Sequence, residues 1–335
     1  MSAGIGINGF GRIGRTVFRI LIEKGLRIGA INDPSLTPKQ LAYLLKYDSV
    51  HGTFEEKIQV TDDGIEVNCK NVTLCSEKDP DKIPWKDFKA DYVVDASGKF
   101  TKVKQAGKHK AKKVLISSPS KDAPMYVLGV NTENYDHKAK VVSMASCTTN
   151  GLAPLLKVLH KTFHVQEGLM TTIHSATQSQ NVLDGISRKN WRVGRCSLNN
   201  IIPTSTGASK AIFKIFPELD GKLMGMAFRV PVPNVSLIDL SVRLTKSCNY
   251  EDIKGCMMEA SRTAMKGILG YTDEQVVSSD LIGTCHSVIF DADASSMLNN
   301  KFAKIIGWYD NEYGYSCRIV DFLLFMMEQD GKRRC

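Results

Sequence analysis

The chain has 335 residues, about twice the length of one typical domain, and its 43% hydrophobic and 24% charged residues are ordinary globular proportions. This excludes a disordered, collagen-like or coiled-coil protein, and the longest notable apolar run, 322–327, falls far short of the roughly 20 residues of a membrane helix. Forty-four Lys and Arg against 35 Asp and Glu give a formal charge of +9, which favours anionic ligands such as nucleotides, sugar phosphates or nucleic acid.

The chain opens on a short buried strand over 3–8, so no secretory leader is expected. Then comes Gly9-Phe-Gly11-Arg12-Ile13-Gly14 and a helix-like segment to Gly25, with Ile13, Val17, Ile20 and Leu21 on one face. A second strand over 27–32 ends at Asp33, nineteen residues after Gly14. A lone G-x-G-x-x-G is weak evidence, but between strand and helix, with an acid closing the next strand, it predicts a dinucleotide site. Gly9 permits the turn, Gly11 lets the backbone approach a pyrophosphate, and Gly14 lets the helix pack closely. The helix N-terminus then faces the phosphates. Asp33 accepts from ribose hydroxyls and repels a 2′-phosphate, which selects NAD over NADP.

Further short apolar runs at 91–96, 113–117 and 140–144 suit a parallel sheet buried on both faces. Between two of them, 99–113 carries seven lysines and no acid; this reads as a solvated helix face, without a nucleic-acid-binding motif. Next stands Ala145-Ser146-Cys147-Thr148-Thr149-Asn150, followed by an amphipathic segment with Leu152, Leu155, Leu156, Leu159 and Phe163, and with Pro154 placed in its first turn. Cys147 thus falls at a helix N-terminus, where the dipole is expected to lower a thiol pKa. Nine cysteines, an odd number with no Cys-x-x-Cys pair, argue for a reducing cytosol and against a zinc cluster or any other metal site. Ile319, Val320, Leu323, Leu324 and Met327 lie at helical spacing in a final helix, which reads as core.

Over essentially its whole length the chain resembles the phosphorylating glyceraldehyde-3-phosphate dehydrogenases. The stretches that carry this are 8–15 (NGFGRIGR), 32–34 (NDP), 46–49 (KYDS), 146–150 (SCTTN), 168–174 (GLMTTIH), 200–203 (NIIP), 205–207 (STG), 225–231 (GMAFRVP) and 308–314 (WYDNEYG). The resemblance implies a Rossmann-type doubly wound nucleotide domain over 1–146, with a helix over 315–335 returning to it. It also implies an α+β catalytic domain over 147–314 whose sheet is mostly antiparallel. Cys147 resembles the nucleophile and His174 its base. Arg229 resembles a cation shared by two anion subsites, one with Ser146, Thr148, Thr206 and Gly207, the other with Thr177 and Ser179. Asn311 resembles the nicotinamide contact, and Arg12, Ile13, Lys78 and Ser117 further cofactor contacts. The implied reaction is NAD-dependent conversion of glyceraldehyde 3-phosphate and inorganic phosphate to 1,3-bisphosphoglycerate through a thioester. The implied assembly is a cytoplasmic homotetramer.

The chain departs from the family pattern in places. Ser179 replaces a common threonine, Gly151 a second cysteine, and Lys78 an arginine, so a point charge stands where a planar group would. The loop over 178–198 is divergent, and the lysine-rich stretch is about three residues short. Two other readings are an erythrose-4-phosphate dehydrogenase and a relative that mainly binds RNA or cytoskeleton; intact Cys147 and His174 argue that activity accompanies any such role.

Overall fold

The computed structural model describes residues 4–188 and 190–331, which form two compact units. One runs to Tyr126 and takes in Glu133–Ala145 and the chain from Ser316; the other comprises Val127–Thr132 and Ser146–Tyr315.

In the first unit the elements are β1 (Gly4–Asn8), α1 (Arg12–Glu23), β2 (Ile28–Asn32), α2 (Pro38–Lys46), β3 (Ile58–Val60), β4 (Gly64–Val67), β5 (Lys70–Cys75), β6 (Ala90–Asp95), α3 (Val103–Ala106), β7 (Lys113–Ile116) and β8 (Val141–Ser143). Their sheet order is β3-β4-β5-β2-β1-β6-β7-β8. From β5 to β8 all pairs are parallel, while β3, β4 and β5 form an antiparallel edge. The chain leaves β1 for β2 on one side and later enters β6 on the other. That reversal is the switch point at which such sheets bind ligands, and the glycine turn sits at its carboxyl end. On α1, Val17, Ile20 and Leu21 are buried as the periodicity predicts, whereas Ile13 is half-buried. Gly25, at φ +68°, ends the helical segment in the left-handed region.

In the second unit, α4 (Cys147–Phe163) leads to β9 (Val165–His174), β10 (Ile202–Ser205), α5 (Ala208–Ile215), β11 (Leu223–Arg229), β12 (Ser236–Leu244), α6 (Tyr250–Arg262), β13 (Leu269–Thr272), β14 (Val288–Asn299) and β15 (Phe302–Tyr309). The sheet runs β10-β11-β9-β12-β15-β14-β13, antiparallel except for the β11–β9 and β14–β13 pairs. Along β12, buried Ser236, Ile238, Leu240, Val242 and Leu244 alternate with more open residues, the mark of a sheet covered on one face. Leu152, Leu155, Leu156 and Leu159 of α4 fill that core with Phe163. Each such leucine contributes about 1.5–3 kcal/mol by leaving water. Pro154 lies inside α4, not in its first turn, because the Ser146 side chain caps the helix well upstream by accepting from the Thr149 N–H.

The last helix, α7 (Tyr313–Gly331), belongs with the first unit from Ser316 onward. Ile319, Val320 and Leu323 are buried, as are Phe322 and Met326, while Leu324 and Met327 are half-buried. Phe322 stacks on Tyr126, and Asp330 accepts from the Tyr92 hydroxyl and pairs with Lys112. The end of the expected helix, 332–335, lies outside the described residues. No helix among the described residues is long and apolar enough to cross a membrane.

Candidate active site

The dinucleotide turn follows β1 directly. Gly9 has φ +91°, and a Cβ there would lie 2.7 Å from the Ser97 backbone, so only glycine fits. A Cβ at Gly14 would lie 2.1 Å from the Gly9 carbonyl oxygen, which is how closely α1 approaches the turn. Gly11 caps α1 without a side chain, and no acidic residue occupies the first turn, so the positive end of the helix is available to a phosphate.

Asp33 accepts from the Phe10 N–H at 2.9 Å and from the Ser35 hydroxyl at 2.6 Å. Burial alone would raise its pKa, but the bonds from Ser35 and Phe10 outweigh this and hold the carboxyl below its usual range, ionised for a ribose. These features fit a dinucleotide. Arg12 and Ile13 are the first residues of α1, and the Arg12 guanidinium is tied to Asp48 by two bonds. Ser117 follows β7 and donates its N–H to the Asp95 carbonyl at 3.0 Å. Lys78 lines a groove of about 310 Å³ with Asp79, Pro80, Phe100, Gln105 and Lys108.

In the second unit, Cys147 is the first residue of α4. Immediately before its cap, Ala145 adopts φ +54°, rare outside glycine, and turns the chain sharply into the helix. His174 ends β9 and pairs in register with Arg229 on the parallel neighbour β11. Adjacent strands thus deliver the imidazole and the guanidinium to one place. His174 Nε2 lies 3.5 Å from Cys147 Sγ. Nδ1 lies 2.8 Å from the Ser175 carbonyl oxygen and 2.6 Å from Arg229 Nη1.

These two partners select opposite tautomers. A carbonyl can only accept, so pairing with Ser175 puts the proton on Nδ1 and leaves Nε2 bare toward the sulfur. A guanidinium can only donate, so pairing with Arg229 moves the proton to Nε2.

Burial, followed by the charge of Arg229, lowers His174 to about 3. Burial also pushes the Cys147 thiol up, against the opposing pulls of Arg229 and of bonds from Thr148. The lowered thiol pKa expected from the helix N-terminus is therefore reversed, because desolvation outweighs these pulls. Desolvation thus favours the uncharged forms of both partners, the thiol and the imidazole.

Among the proposed anion ligands, Ser146 and Thr148 stand at the start of α4, while Thr206 and Gly207 form the separate turn into α5. Thr177 and Ser179 come together, their hydroxyl oxygens 3.1 Å apart. Gln180, absent from the sequence reading, accepts from the Thr177 N–H and fixes that turn.

Tyr309 was also not singled out. Fully buried, it shares its hydroxyl with Thr148 at 2.9 Å and Thr172 at 2.7 Å, and its ring meets His174 edge-on. The Asn311 carbonyl oxygen accepts from Ser175 Oγ at 2.9 Å and Ser236 Oγ at 2.8 Å, which orients its amide. Both Tyr309 and Asn311 lie in the 308–314 stretch, so position in a recognised motif was the only available signal for Tyr309.

The lysine-rich stretch is not one helix face. Only Val103–Ala106 is helical; Lys113 is buried on two carbonyls, and Lys110 and Lys112 pair with Asp81 and Asp330.

Two family profiles match the sequence: "Glyceraldehyde 3-phosphate dehydrogenase, NAD binding domain" over residues 3–103 and "Glyceraldehyde 3-phosphate dehydrogenase, C-terminal domain" over 146–311. The chain is 54% identical to the glyceraldehyde-3-phosphate dehydrogenase of Podospora anserina over 99% of both chains. It is equally 54% identical to that of Glossina morsitans morsitans, over 98% of this chain and 99% of the relative. A chloroplastic glyceraldehyde-3-phosphate dehydrogenase of Arabidopsis thaliana is 54% identical over 96% of this chain and 78% of its own. With both halves matched and the thiol, imidazole and glycine turn in place, the chain belongs to the glyceraldehyde-3-phosphate dehydrogenase family.

Proposed function

We propose that Cys147 and His174 carry out the NAD-dependent, phosphorylating oxidation of glyceraldehyde 3-phosphate to 1,3-bisphosphoglycerate, a reaction of glycolysis and gluconeogenesis. The observation that carries this assignment is the 3.5 Å approach of Sγ to Nε2 at the start of α4. His174 takes the thiol proton as sulfur attacks the aldehyde carbon, so the half-buried thiol need not ionise beforehand. The imidazole passes that proton to the oxygen of the hemithioacetal and later takes it back. NAD, held by Gly9, Gly11, Arg12, Ile13, Gly14, Asp33, Lys78, Ser117 and Asn311, supplies the hydride acceptor when bound. Inorganic phosphate then cleaves the thioester on Cys147 and leaves as the acyl phosphate.

Arg229 serves the anions, with Ser146, Thr148, Thr206 and Gly207 on one side and Thr177 and Ser179 on the other. A phosphate that draws Arg229 away from Nδ1 leaves Ser175 as the partner of that nitrogen, and Nε2 becomes the proton acceptor. Anion binding and base readiness are thereby coupled. Arg229→Ala is expected to raise the KM of both aldehyde and phosphate by roughly tenfold or more, since one charged bidentate donor serves both. An effect confined to NAD would show that Arg229 is misplaced.

The deciding assay follows NADH formation with glyceraldehyde 3-phosphate and with erythrose 4-phosphate, each with and without inorganic phosphate. Turnover is expected to need phosphate and to favour the triose, with strong preference for NAD because Asp33 repels a 2′-phosphate. Comparable efficiency with NADP, or phosphate-independent turnover, would overturn the reading. A cytoplasmic homotetramer completes it. Ile186 and Trp191, 95% and 85% exposed in the 178–198 loop beside open Leu183 and Leu198, support burial of that loop by further copies.

A further inference from the structure

The first unit holds a second buried imidazole, away from the thiol. His109, between α3 and β7, is fully buried. Trp85 Nε1 donates to His109 Nδ1 at 3.0 Å, and His109 Nε2 lies 3.0 Å from Asp95 Oδ2. An indole nitrogen can only donate, so Nδ1 is the bare nitrogen and the ring proton sits on Nε2, donated to Asp95. The line ends in an indole and includes no nucleophile, so it is not a catalytic triad.

Its geometry leads to the glycine turn. Asp95 Oδ1 accepts from the Ser97 N–H at 3.1 Å and from its hydroxyl at 2.6 Å. Asp95 Oδ2 also accepts from the Asn8 amide at 3.1 Å, and the Asn8 carbonyl oxygen accepts from Asn32 at 2.8 Å. Asp95, Asn8 and Asn32 close β6, β1 and β2, the three strands whose carboxyl ends shape the turn. The Ser97 backbone is what a Cβ at Gly9 would strike. At the far end of the same loop, Phe100 meets the His109 ring edge-on with centroids 6.1 Å apart, and Phe100 lines the groove that holds Lys78.

We infer that His109 is a positioning residue for the dinucleotide: through Asp95 and Phe100 it fixes both ends of the loop that underlies the glycine turn and walls the Lys78 groove, and so sets the affinity for NAD. It touches no reacting atom. The inference rests on this unit binding NAD.

Calorimetric titration of the purified full-length protein with NAD tests it, beside thermal melts and steady-state kinetics. His109→Leu keeps the bulk and removes both bonds; NAD binding is expected to weaken roughly tenfold, as loss of a buried two-bond link would produce. The KM for NAD should rise by the same factor, with kcat and the KM for aldehyde within about twofold, since the thiol machinery draws on none of these bonds. His109→Gln restores an acceptor toward Trp85 and a donor toward Asp95, and should recover most of the affinity. Undiminished NAD binding in His109→Leu, no recovery in His109→Gln, or a parallel rise in both KM values would overturn the inference. Should His109→Leu fail to melt cooperatively, replacing Trp85 with its isostere 3-benzothienylalanine decides, because sulfur takes the place of the indole N–H and both buried rings stay in the core. Binding about threefold weaker then supports the inference, and unchanged binding sinks it. Calorimetry needs no turnover, so an inactive aldehyde assay would count against the proposed reaction and leave this result standing.

Discussion

Cys147→Ser is expected to abolish aldehyde oxidation, by on the order of 10⁴-fold or more, while leaving NAD binding and the melting temperature nearly unchanged. The substitution is close to isosteric at the first residue of α4, where the cap bond that the Thr149 N–H donates to Ser146 and the leucine core of the helix do not depend on sulfur. What is lost is chemical. A hydroxyl is far harder to deprotonate than a thiol, and an oxygen ester would not store the oxidation in the same reactive form as a thioester. Because burial already raises the Cys147 thiol, the site has no surplus acidity to lend a serine. Mass spectrometry of acid-quenched protein should show an acyl adduct on the wild type and none on the variant. Substantial turnover by Cys147→Ser would remove Cys147 from the mechanism.

The parallel half of the first unit was legible because its physical signals are local. Continuous apolar runs mark strands buried on both faces, and a glycine turn followed by an amphipathic helix marks the switch point. The antiparallel edge was not read. β3 is three residues long and mostly exposed, so it lacks an apolar run. Its hairpins rest on turn chemistry instead: between β3 and β4 the Thr61 hydroxyl donates to the Asp63 carboxylate, and between β4 and β5 stand Asn68 and Cys69, both at positive φ. Pro154 misled for a related reason. Proline favours a first turn, but Ser146 is the stronger start signal, and the helix carries the proline inside.

At the site, the residue types were legible and their pairing was not. Cys147 and His174 are 27 positions apart, and Arg229 a further 55, so only the β9–β11 register brings the last two together. Resemblance supplied the Cys147–His174 pairing in advance but not the contact of His174 with Arg229; periodicity could supply neither. The thiol pKa was misjudged because the helix N-terminus is visible in sequence, whereas desolvation depends on tertiary packing around Sγ. Tyr309 and Gln180 were missed for the same reason: each acts through partners distant in sequence or hidden in a turn.

His174→Ala is expected to slow turnover by roughly a hundredfold or more near neutral pH, and to change the shape of the pH profile. With Arg229 against it and the imidazole lowered to about 3, His174 stays uncharged across the whole physiological range, and it becomes a base for the thiol once a phosphate draws Arg229 off Nδ1. Wild-type activity should therefore keep no acid limb near the usual histidine pKa of about 6.5. The sign for stability follows from the same shift. A histidine whose folded pKa is depressed favours the folded state fully above its unfolded pKa, and this contribution is lost as pH falls from about 6.5 toward 3. Removing His174 leaves a thiol that desolvation holds protonated and takes away the imidazole that would accept its proton. Reactive thiolate must then form by simple ionisation, which rises about tenfold per pH unit below the thiol pKa. The variant's log kcat/KM should climb with a slope near one from about pH 7 to 9, while the wild type stays flatter because an imidazole takes the thiol proton during attack. The deficit therefore narrows at high pH. Parallel profiles for the two proteins, or near-normal turnover of His174→Ala at pH 7, would show that the 3.5 Å approach of Nε2 to Sγ is not a proton-transfer contact.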